Sequence, residues 1–351
     1  MTADPDLPPI KLILPMKTAS SSLKKSTLAL ALALAGLGQL QAADSTAAFK
    51  ADPAKVLGAE NCKECHAPIF AAWEKTHHFL SFAAGTGDKP AMHRSDEAKA
   101  ILKKMGERSA KRGACVQCHY TGQASDTGRI KTISGTSCES CHSGGKEWNK
   151  IHSNKENPNA LKESEPLGMI RPHMTYAVAA NCFTCHTVPN EELVNKGGHT
   201  AGSAFELVSW SQGEIRHNLQ KSEGKSNPEA SAEHKRMLYI VGRLLDLEYG
   251  VRGLAQATAD GAYAQAMTKR VQNAKARLTE IASVDKAIGD IAALVEDGQL
   301  KAGNAAALKA AADRISKASQ AFSKANDGSK FTAIDSKIPG PDHYKGKAHT
   351  P

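Results

Sequence analysis

Residues 62–66 read Cys-Lys-Glu-Cys-His, and the Cys-x-x-Cys-His pattern of this stretch returns three more times along the chain. The four copies are Cys62-Lys-Glu-Cys65-His66, Cys115-Val-Gln-Cys118-His119, Cys138-Glu-Ser-Cys141-His142 and Cys182-Phe-Thr-Cys185-His186. Together they use all eight cysteines of the 351 residues. Because residue frequencies alone give roughly 0.007 copies, the spacing indicates a chemical requirement.

Covalent haem attachment requires this spacing. Two thiols on one short helical turn can each add to a vinyl group of the same haem, and the adjacent imidazole then reaches the iron from one face. We therefore predict four c-type haems, each with its iron. The attachment residues would be Cys62, Cys65, Cys115, Cys118, Cys138, Cys141, Cys182 and Cys185, and the first iron ligands His66, His119, His142 and His186.

Structural zinc sites and disulfide bonds are two other uses of closely spaced cysteines. Four zinc sites would leave the histidine after each pair unexplained and would suit a cytosolic protein better. Disulfide loops within the four motifs are favoured less still. Haem attachment is therefore the preferred interpretation.

Residues 1–42 are predicted to be an upstream extension and a signal peptide. Three lysines between Met16 and Leu28 precede an apolar stretch at 28–37, and small residues follow near Ala42. This order is typical of an export signal, and the apolar stretch is too short to span a bilayer comfortably. We expect cleavage near Ala42 and a periplasmic chain. An uncleaved anchor helix, or an extracellular or membrane-associated location, is the alternative.

Composition and charge exclude two broad classes of protein and limit the kinds of binding partner. With 41% hydrophobic and 23% charged residues, the chain is neither disordered nor a multispanning membrane protein. The net charge of +9 would be largely offset by haem propionates. Export disfavours nucleic acid as a partner. We expect redox partner proteins in the periplasm, no nucleic acid, and no transmembrane segment in the mature chain.

Each haem iron has a second axial position, and several side chains compete for it. Ten histidines lie outside the motifs, and four of them at most can be second ligands. Methionines within the haem segment are rivals, and a methionine ligand would raise the reduction potential relative to histidine. We favour two histidine ligands for at least two of the haems. The histidine candidates are His78, His152, His173, His199 and His217.

Two stretches resemble the cytochrome c554 family of multihaem cytochromes. The first runs from Cys62 to His78 and contains Trp73-x-x-Thr76-x-His78. The second is Gly135-Thr-Ser-Cys138-Glu-Ser-Cys141-His142-Ser-Gly-Gly, with His152 ten residues beyond His142. The likeness covers about residues 55–200 and does not reach the C-terminal third of the chain.

The resemblance implies that histidines from distant segments complete the haem sites. The implied pairs are His66 with His152, His142 with His78, and His186 with His173. In the family the remaining haem, here the one on Cys115, Cys118 and His119, can be five-coordinate and open to a small molecule. A five-coordinate iron would permit enzymatic chemistry on a small nitrogen species.

Residues 197–218 depart from the family pattern and leave this assignment open. The segment contains His199 and His217 together with Phe205, Trp210, Glu214 and Arg216. One hypothesis gives a sixth iron position to His199 or His217. A second lets Glu214, Arg216 and His217 line an open iron. A third is a loop that packs its two aromatic rings on a porphyrin edge.

The expected fold is mainly α: a loop-rich multihaem cytochrome domain built around four covalent haems, followed by an antiparallel helical bundle. We place the haem domain at 43–225, a four-helix bundle at 226–328 and a C-terminal tail at 329–351. The prediction of a bundle rests on apolar residues at helical spacing, for example Met267, Val271, Ala274, Leu278 and Ile281. We expect the bundle to act as a structural scaffold, and self-association is the alternative role.

The preferred function is a periplasmic tetrahaem c-type cytochrome that transfers electrons between redox partners through closely packed haems. The alternative is a haem enzyme that reduces or oxidises a small nitrogen species at one five-coordinate haem. A third possibility is a filament-forming cytochrome with ligands shared between molecules.

Overall fold

A computed structural model describes residues 50–83 and 90–351. The predicted extension and signal peptide at 1–42 lie outside the described residues, as do 43–49 and 84–89. The fold is mainly helical, as predicted, with long loops in its first half and long helices in its second. Among the described residues, no helix combines the length and apolar character needed to cross a membrane.

The described part of the first half of the chain contains mostly short helices, and four of them carry the motifs. The helices are α1 Ala59–Trp73, α2 His77–Ala83, α3 Asp96–Met105, α4 Val116–His119, α5 Cys138–His142, α6 Asn149–His152, α7 Ala160–Ser164, α8 Thr175–His186, α9 Glu191–Asn195 and α10 Leu207–Ser211. The motifs lie in α1, α4, α5 and α8, and Cys115 caps the start of α4. Each helical turn therefore presents its two thiols together with the histidine that follows them.

A β-hairpin places the second motif beside the third. Strands β1, Thr121–Ala124, and β2, Ile130–Ser134, pair in antiparallel orientation directly after α4 and directly before α5. The Thr121 hydroxyl donates to the Gly135 carbonyl oxygen at 2.8 Å and also contacts the Ser137 hydroxyl at 3.1 Å. The hairpin and these buried hydrogen bonds hold the ends of α4 and α5 together.

Helix α3 shows how the local sequence sets an element. The Ser95 hydroxyl accepts a hydrogen bond from the Ala98 backbone N–H at 3.1 Å, which caps the first turn. Gly106 ends the helix in the left-handed conformation, with φ of 74°, which glycine adopts without strain. The two ends fix α3 as a ten-residue helix before the second motif.

The second half contains the predicted helices. They are α11 Ala232–Gln256, α12 Ala262–Thr279, α13 Lys286–Ala292 and α14 Ala305–Ala325. Helix α11 begins after the expected start at Pro228, because the Ser231 hydroxyl caps its first turn through the His234 N–H at 3.2 Å. Three helices are long and α13 has only seven residues, so the bundle is less regular than four equal helices.

The apolar core runs continuously from the bundle to the fourth motif. The residues that the periodicity pointed inward are buried, among them Val271, Leu278 and Ile315. Phe183, inside the fourth motif, joins the same cluster. Helix α11 contacts α8 as well as α12 and α14, which explains why most of its residues are buried. The change in sequence near 225 marks a change in helix length, while packing continues across it.

The C-terminal tail runs back along the segment that precedes the bundle. The Lys345 backbone N–H donates to Ser209 O, and the Glu214 N–H donates to Lys345 O, both at 2.9 Å. Further along, the Asn227 side-chain amide donates to His349 O at 2.9 Å. These bonds brace residues 209–227, which include one of the candidate iron ligands.

Candidate haem-binding site

The eight motif cysteines carry no disulfide bond. All eight are free thiols, and Cys65 alone among them is exposed. Within residues 50–83 and 90–351, no group of three or more His, Cys, Asp or Glu side chains gathers at a point that could hold a metal ion. All eight thiols are free to form the thioether bonds that haem attachment requires.

Each motif histidine faces one histidine from outside the motifs. The ring centroids are 6.3 Å apart for His66 and His152, 6.4 Å for His119 and His199, 6.3 Å for His142 and His217, and 6.3 Å for His186 and His78. We name these pairs site 1, site 2, site 3 and site 4, in the order of their motifs. Four of the five candidate second ligands thus lie opposite a motif histidine.

The separation fits one iron between two imidazole rings. An imidazole nitrogen bonds a first-row metal ion at about 2 Å, so two nitrogens on opposite sides of one ion lie about 4 Å apart. Adding the distance from each nitrogen to its ring centre places the two centroids a little over 6 Å apart. All four pairs have this separation.

The pairs agree with the family-implied pairing at one site and differ from it at the others. His152 lies opposite His66, as the resemblance implies. His78 faces His186 instead of His142, whose neighbour is His217. Gly135 contributes to the position of α2, because a Cβ at this residue would overlap the carbonyl oxygen of His78. Helix α2 therefore approaches the third motif through its backbone.

The structure also differs from the family-implied arrangement at His173 and at site 2. The His173 side chain is 60% exposed, and its nearest charged neighbour is Glu165 at 3.9 Å. The site on Cys115, Cys118 and His119, which the resemblance leaves open to a small molecule, has His199 opposite its motif histidine. His199 and His217 both come from residues 197–218, the segment that departs from the family pattern.

Hydrogen bonds orient five of the eight paired rings. In each of these rings Nδ1 lies near an oxygen acceptor, which favours the tautomer with the proton on Nδ1 and leaves Nε2 free for a metal. The acceptors are Gln220 Oε1 for His66, Ile170 O for His142, Asn149 O for His152, Thr200 O for His199 and Ile215 O for His217, at 2.9, 2.8, 2.6, 2.8 and 2.6 Å.

Burial keeps the inner rings in the form that binds metal. Desolvation lowers the pKa of His78 and of His119 to about 4. It also lowers the pKa of His142 and of His186. These imidazoles are neutral at neutral pH, and only a neutral imidazole has the free nitrogen lone pair that a metal ligand needs.

Contacts between motifs show which of the four sites are neighbours. Glu139, inside the third motif, accepts from the Leu57 and Gly58 backbone N–H groups just before α1, both at 2.8 Å, which joins site 1 to site 3. The Asn181 side-chain amide, beside Cys182 of site 4, donates to Cys141 O of site 3 at 2.7 Å. The Cys185 thiol donates to Gln117 O, inside the second motif, at 3.8 Å, which joins site 4 to site 2. The Thr136 hydroxyl, just before the third motif, donates to Cys118 O at 3.0 Å, so site 2 also adjoins site 3.

Sites 2 and 4 border one shared cavity of about 650 Å³. Its lining includes the thiols and motif histidines of both sites, with His78 and His199. The volume lies within the range of roughly 300–1,000 Å³ typical of pockets for drug-sized ligands and cofactors. Paired imidazoles, free thiols and this space form a donor set that fits covalently bound haem.

Residues 197–218 combine two of the roles expected for them. Besides supplying two histidines, they place Phe205 against His186, with ring centroids 4.5 Å apart, and Trp210 at 6.2 Å from the same ring. Glu214 accepts from the His77 backbone N–H at 3.0 Å and lies 2.7 Å from its Nδ1. Arg216 pairs with Glu229 at 3.7 Å. Glu214 also lines the cavity of sites 2 and 4, so its place beside an iron stays a prediction.

Two residues that support the sites carry no recognisable signal in the sequence. Gln220 contacts His66 from 154 positions away, and no motif marks it. Glu139 lies between the cysteines of the third motif, where any residue type fits the Cys-x-x-Cys-His pattern. Its side chain is 2% exposed and accepts three backbone hydrogen bonds, which ties the first motif to the third.

Residues 61–143 match the model of the family described as Cytochrome c554 and c-prime. This range covers the first three motifs and is shorter than the resemblance at about 55–200 noted from the sequence. Comparison with curated proteins and with solved structures gave no match. The match and the paired histidines agree on covalently bound haem. Residues 61–143 are therefore similar to a family of c-type cytochromes, and this similarity supports covalently bound haem and a role in electron transfer.

Proposed function

We propose that this protein is a periplasmic electron carrier that binds four c-type haems, each with two histidine ligands. The observation that carries the proposal is the set of four histidine pairs, with ring centroids 6.3–6.4 Å apart. When bound, haem supplies an iron that alternates between the ferric and ferrous states. The four motif histidines and the four histidines that face them would hold the irons.

Two histidines at every site favour electron transfer over catalysis. An iron with two protein ligands has no free position for a substrate, so a small nitrogen species would have to displace an imidazole. At site 2 the ligand that blocks access would be His199, whose Nδ1 is held by the Thr200 carbonyl oxygen at 2.8 Å. The enzymatic alternative requires this histidine to leave.

The contacts between sites support electron transfer from one haem site to the next. Site 1 contacts site 3, and sites 3, 4 and 2 contact one another. Site 1 contains the one exposed motif cysteine, Cys65. An electron that enters at site 2 could therefore reach site 1 through site 3, which suits a carrier that accepts an electron at one site and releases it at another.

The periplasmic location rests on the sequence. The basic and apolar residues before Ala42 are typical of an export signal.

A reductive titration tests the proposal. Purified holoprotein should take up four electrons per chain and should remain low-spin in both oxidation states. Carbon monoxide added to the reduced protein, or cyanide added to the oxidised protein, should leave the visible spectrum unchanged. Uptake of fewer than four electrons, or a high-spin signal that responds to hydroxylamine in the unmodified protein, would contradict the proposal and support the enzyme.

Replacement of Gln220 should shift the potential of one haem. The Gln220 side-chain oxygen accepts from His66 Nδ1 at 2.9 Å, and this bond makes the imidazole a better donor to iron. Gln220→Leu should therefore raise the potential at site 1, and Gln220→Glu should lower it. We expect shifts on the order of 59 mV, the one-electron equivalent of a tenfold change.

Spectroelectrochemical titration of the two Gln220 variants measures these shifts. Lys221→Leu, a substitution of an exposed neighbour, is the matched control and should leave all four potentials within error. Shifts of the same sign in Gln220→Leu and Gln220→Glu would count against a role for this hydrogen bond.

A further inference from the structure

We propose that the basic surface formed by Arg94, Lys99, Lys103, Lys104, Arg108 and Arg112 docks an acidic redox protein that donates electrons at site 2. We call this surface the α3 patch. The proposal rests on the proposed function, because it assigns a partner and an entry point to the electron path. It is carried by charge, by exposure and by the contacts of α3 with site 2.

Charge is concentrated in this stretch of the chain. Residues 94–112 contain seven Lys and Arg residues and three Asp and Glu residues, a net charge of +4. The whole chain of 351 residues carries +9. Nearly half of the net charge therefore comes from a stretch of nineteen residues. All six members of the α3 patch are exposed.

Most of these cations have no carboxylate nearby. Asp96 pairs with Lys99 at 2.9 Å, and Glu107 turns inward to accept from the Ala114 N–H at 3.2 Å. Among the described residues, no Asp or Glu oxygen lies within 4 Å of the other five cations of the patch. Their field is therefore available to a partner.

The helix dipole explains only part of the cluster. Lys103 and Lys104 lie in the last turn of α3, where cations stabilise the partial negative charge of the helix end. Arg94 precedes the helix, and Arg108 and Arg112 follow it in loops. These three arginines gain nothing from the dipole of α3, so helix stability does not explain the cluster.

The inner face of α3 covers site 2. Ala98 and Ile101 line the cavity that also contains Cys115 and His119. Leu102 packs in a small apolar cluster with Val116, inside the second motif. The α3 patch therefore lies on the outside of the helix whose inner face borders the haem-binding space.

The end of α3 also reaches the second histidine of the site. Gly198, next to His199, has φ of 79°, and a Cβ there would lie 2.8 Å from Lys104 Nζ. Lys104 thus lies beside the segment that holds His199. A partner bound to the patch would contact both halves of site 2.

The chemistry of the patch favours an acidic protein over a membrane. Helices that bind at a membrane surface expose large apolar side chains, whereas Leu102 of α3 is 9% exposed and points into the small apolar cluster. Opposite charge speeds the encounter of two proteins and orients them. One electron would leave the reduced partner and enter site 2, with no bond formed or broken and no proton moved.

Charge reversal with a matched control tests the proposal. The test variant is Lys103→Glu/Lys104→Glu/Arg108→Glu, and the control is Lys269→Glu/Lys317→Glu/Lys324→Glu, three exposed lysines of α12 and α14. Both variants change the net charge equally. The probe is flavodoxin hydroquinone, an acidic one-electron donor that is oxidised to its semiquinone as a ferric iron is reduced. Stopped-flow absorbance gives the second-order rate constant.

We expect the α3 variant to slow reduction by flavodoxin about tenfold or more at low ionic strength and to flatten the salt dependence of the rate. The control should change the rate less than twofold. Calorimetric titration with oxidised flavodoxin should show weaker binding for the α3 variant alone. Equal effects of both variants on rate and binding would overturn the proposal, as would α3-dependent binding to anionic lipid vesicles that exceeds binding to flavodoxin.

The binding measurement separates this proposal from the proposed function. If flavodoxin binds through the patch but transfers no electrons to the holoprotein, docking stands and the carrier function fails. If flavodoxin reduces all three proteins equally fast and binds them equally, the carrier function stands and the α3 patch is not the docking surface. An unchanged visible spectrum of each variant shows that its haem sites are intact.

Discussion

Replacement of His199 with alanine should convert one of the four haem centres from low-spin to high-spin. The His199 ring lies 6.4 Å from that of His119, and Thr200 O orients its Nδ1 at 2.8 Å. Removing the imidazole leaves the iron of site 2 with one protein ligand and an open position. The substitution should therefore create one five-coordinate iron, which is the kind of site that the enzymatic alternative requires.

Electron paramagnetic resonance and a cyanide titration measure this effect. In His199→Ala, about a quarter of the haem should give a high-spin ferric signal, and cyanide should bind to that fraction and restore a low-spin spectrum. The unmodified protein should bind none at the same concentration.

His173→Ala is the matched control for this prediction. The family resemblance pairs His173 with His186, whereas the side chain of His173 is 60% exposed and His186 faces His78. This variant should keep the unmodified spectrum. If His173→Ala produces the high-spin signal and His199→Ala does not, the pairing drawn from the structure is wrong and the family-implied pairing is correct.

Replacement of Glu139 with alanine should destabilise the protein by about 3–5 kcal/mol. The buried carboxylate accepts backbone N–H groups of Leu57, Gly58 and Gly145, each at 2.8 Å. Alanine would leave two buried donors and one half-buried donor without a partner, and each buried unsatisfied donor costs about 1–3 kcal/mol. Leu57 and Gly58 immediately precede α1, so the loss should also loosen site 1 relative to site 3.

Denaturant unfolding and hydrogen exchange test the role of Glu139. The midpoint of unfolding, followed by circular dichroism, should fall, and the amides of Leu57, Gly58 and Gly145 should exchange much faster. Glu147→Ala is the matched control, because Glu147 lies in an exposed pair with Lys55 and should contribute less than about 1 kcal/mol. Equal stability of the two variants would show that the carboxylate does not hold the motifs together.

The haem-attachment motifs and the helices of the second half could be predicted from local sequence. The four Cys-x-x-Cys-His motifs are fixed by covalent chemistry, and a family match over residues 61–143 agrees with the haem interpretation. The helices of the second half followed from apolar spacing, because Val271, Leu278 and Ile315 face one core. Helix α13 ends at Ala292 after only seven residues, and apolar spacing alone did not indicate this end.

Pairing of histidines over long distances could not be predicted in the same way. His78 and His186 are separated by 108 positions, and nothing in their local sequence links them. The pairing depends on how α2 packs, and this depends in turn on the close approach of Gly135 to the His78 carbonyl oxygen. His199 and His217 lie beyond the matched segment, where the family pattern gives no indication of their partners.

The predicted division into a haem domain and a bundle remains a prediction. Phe183, within the fourth motif, and Leu244, in α11, belong to one apolar cluster. Secondary structure changes near residue 225 as the sequence pattern indicates, but burial alone gives no boundary there. Expression of residues 226–328 by themselves would expose the α8-facing side of α11.

The most direct test of four haems with two histidine ligands each is a crystal structure of the holoprotein with data collected at the iron absorption edge. We expect four anomalous peaks, each midway between the rings of one pair: His66 and His152, His119 and His199, His142 and His217, His186 and His78. Fewer than four peaks, or an iron bound by only one of its two named histidines, would contradict it.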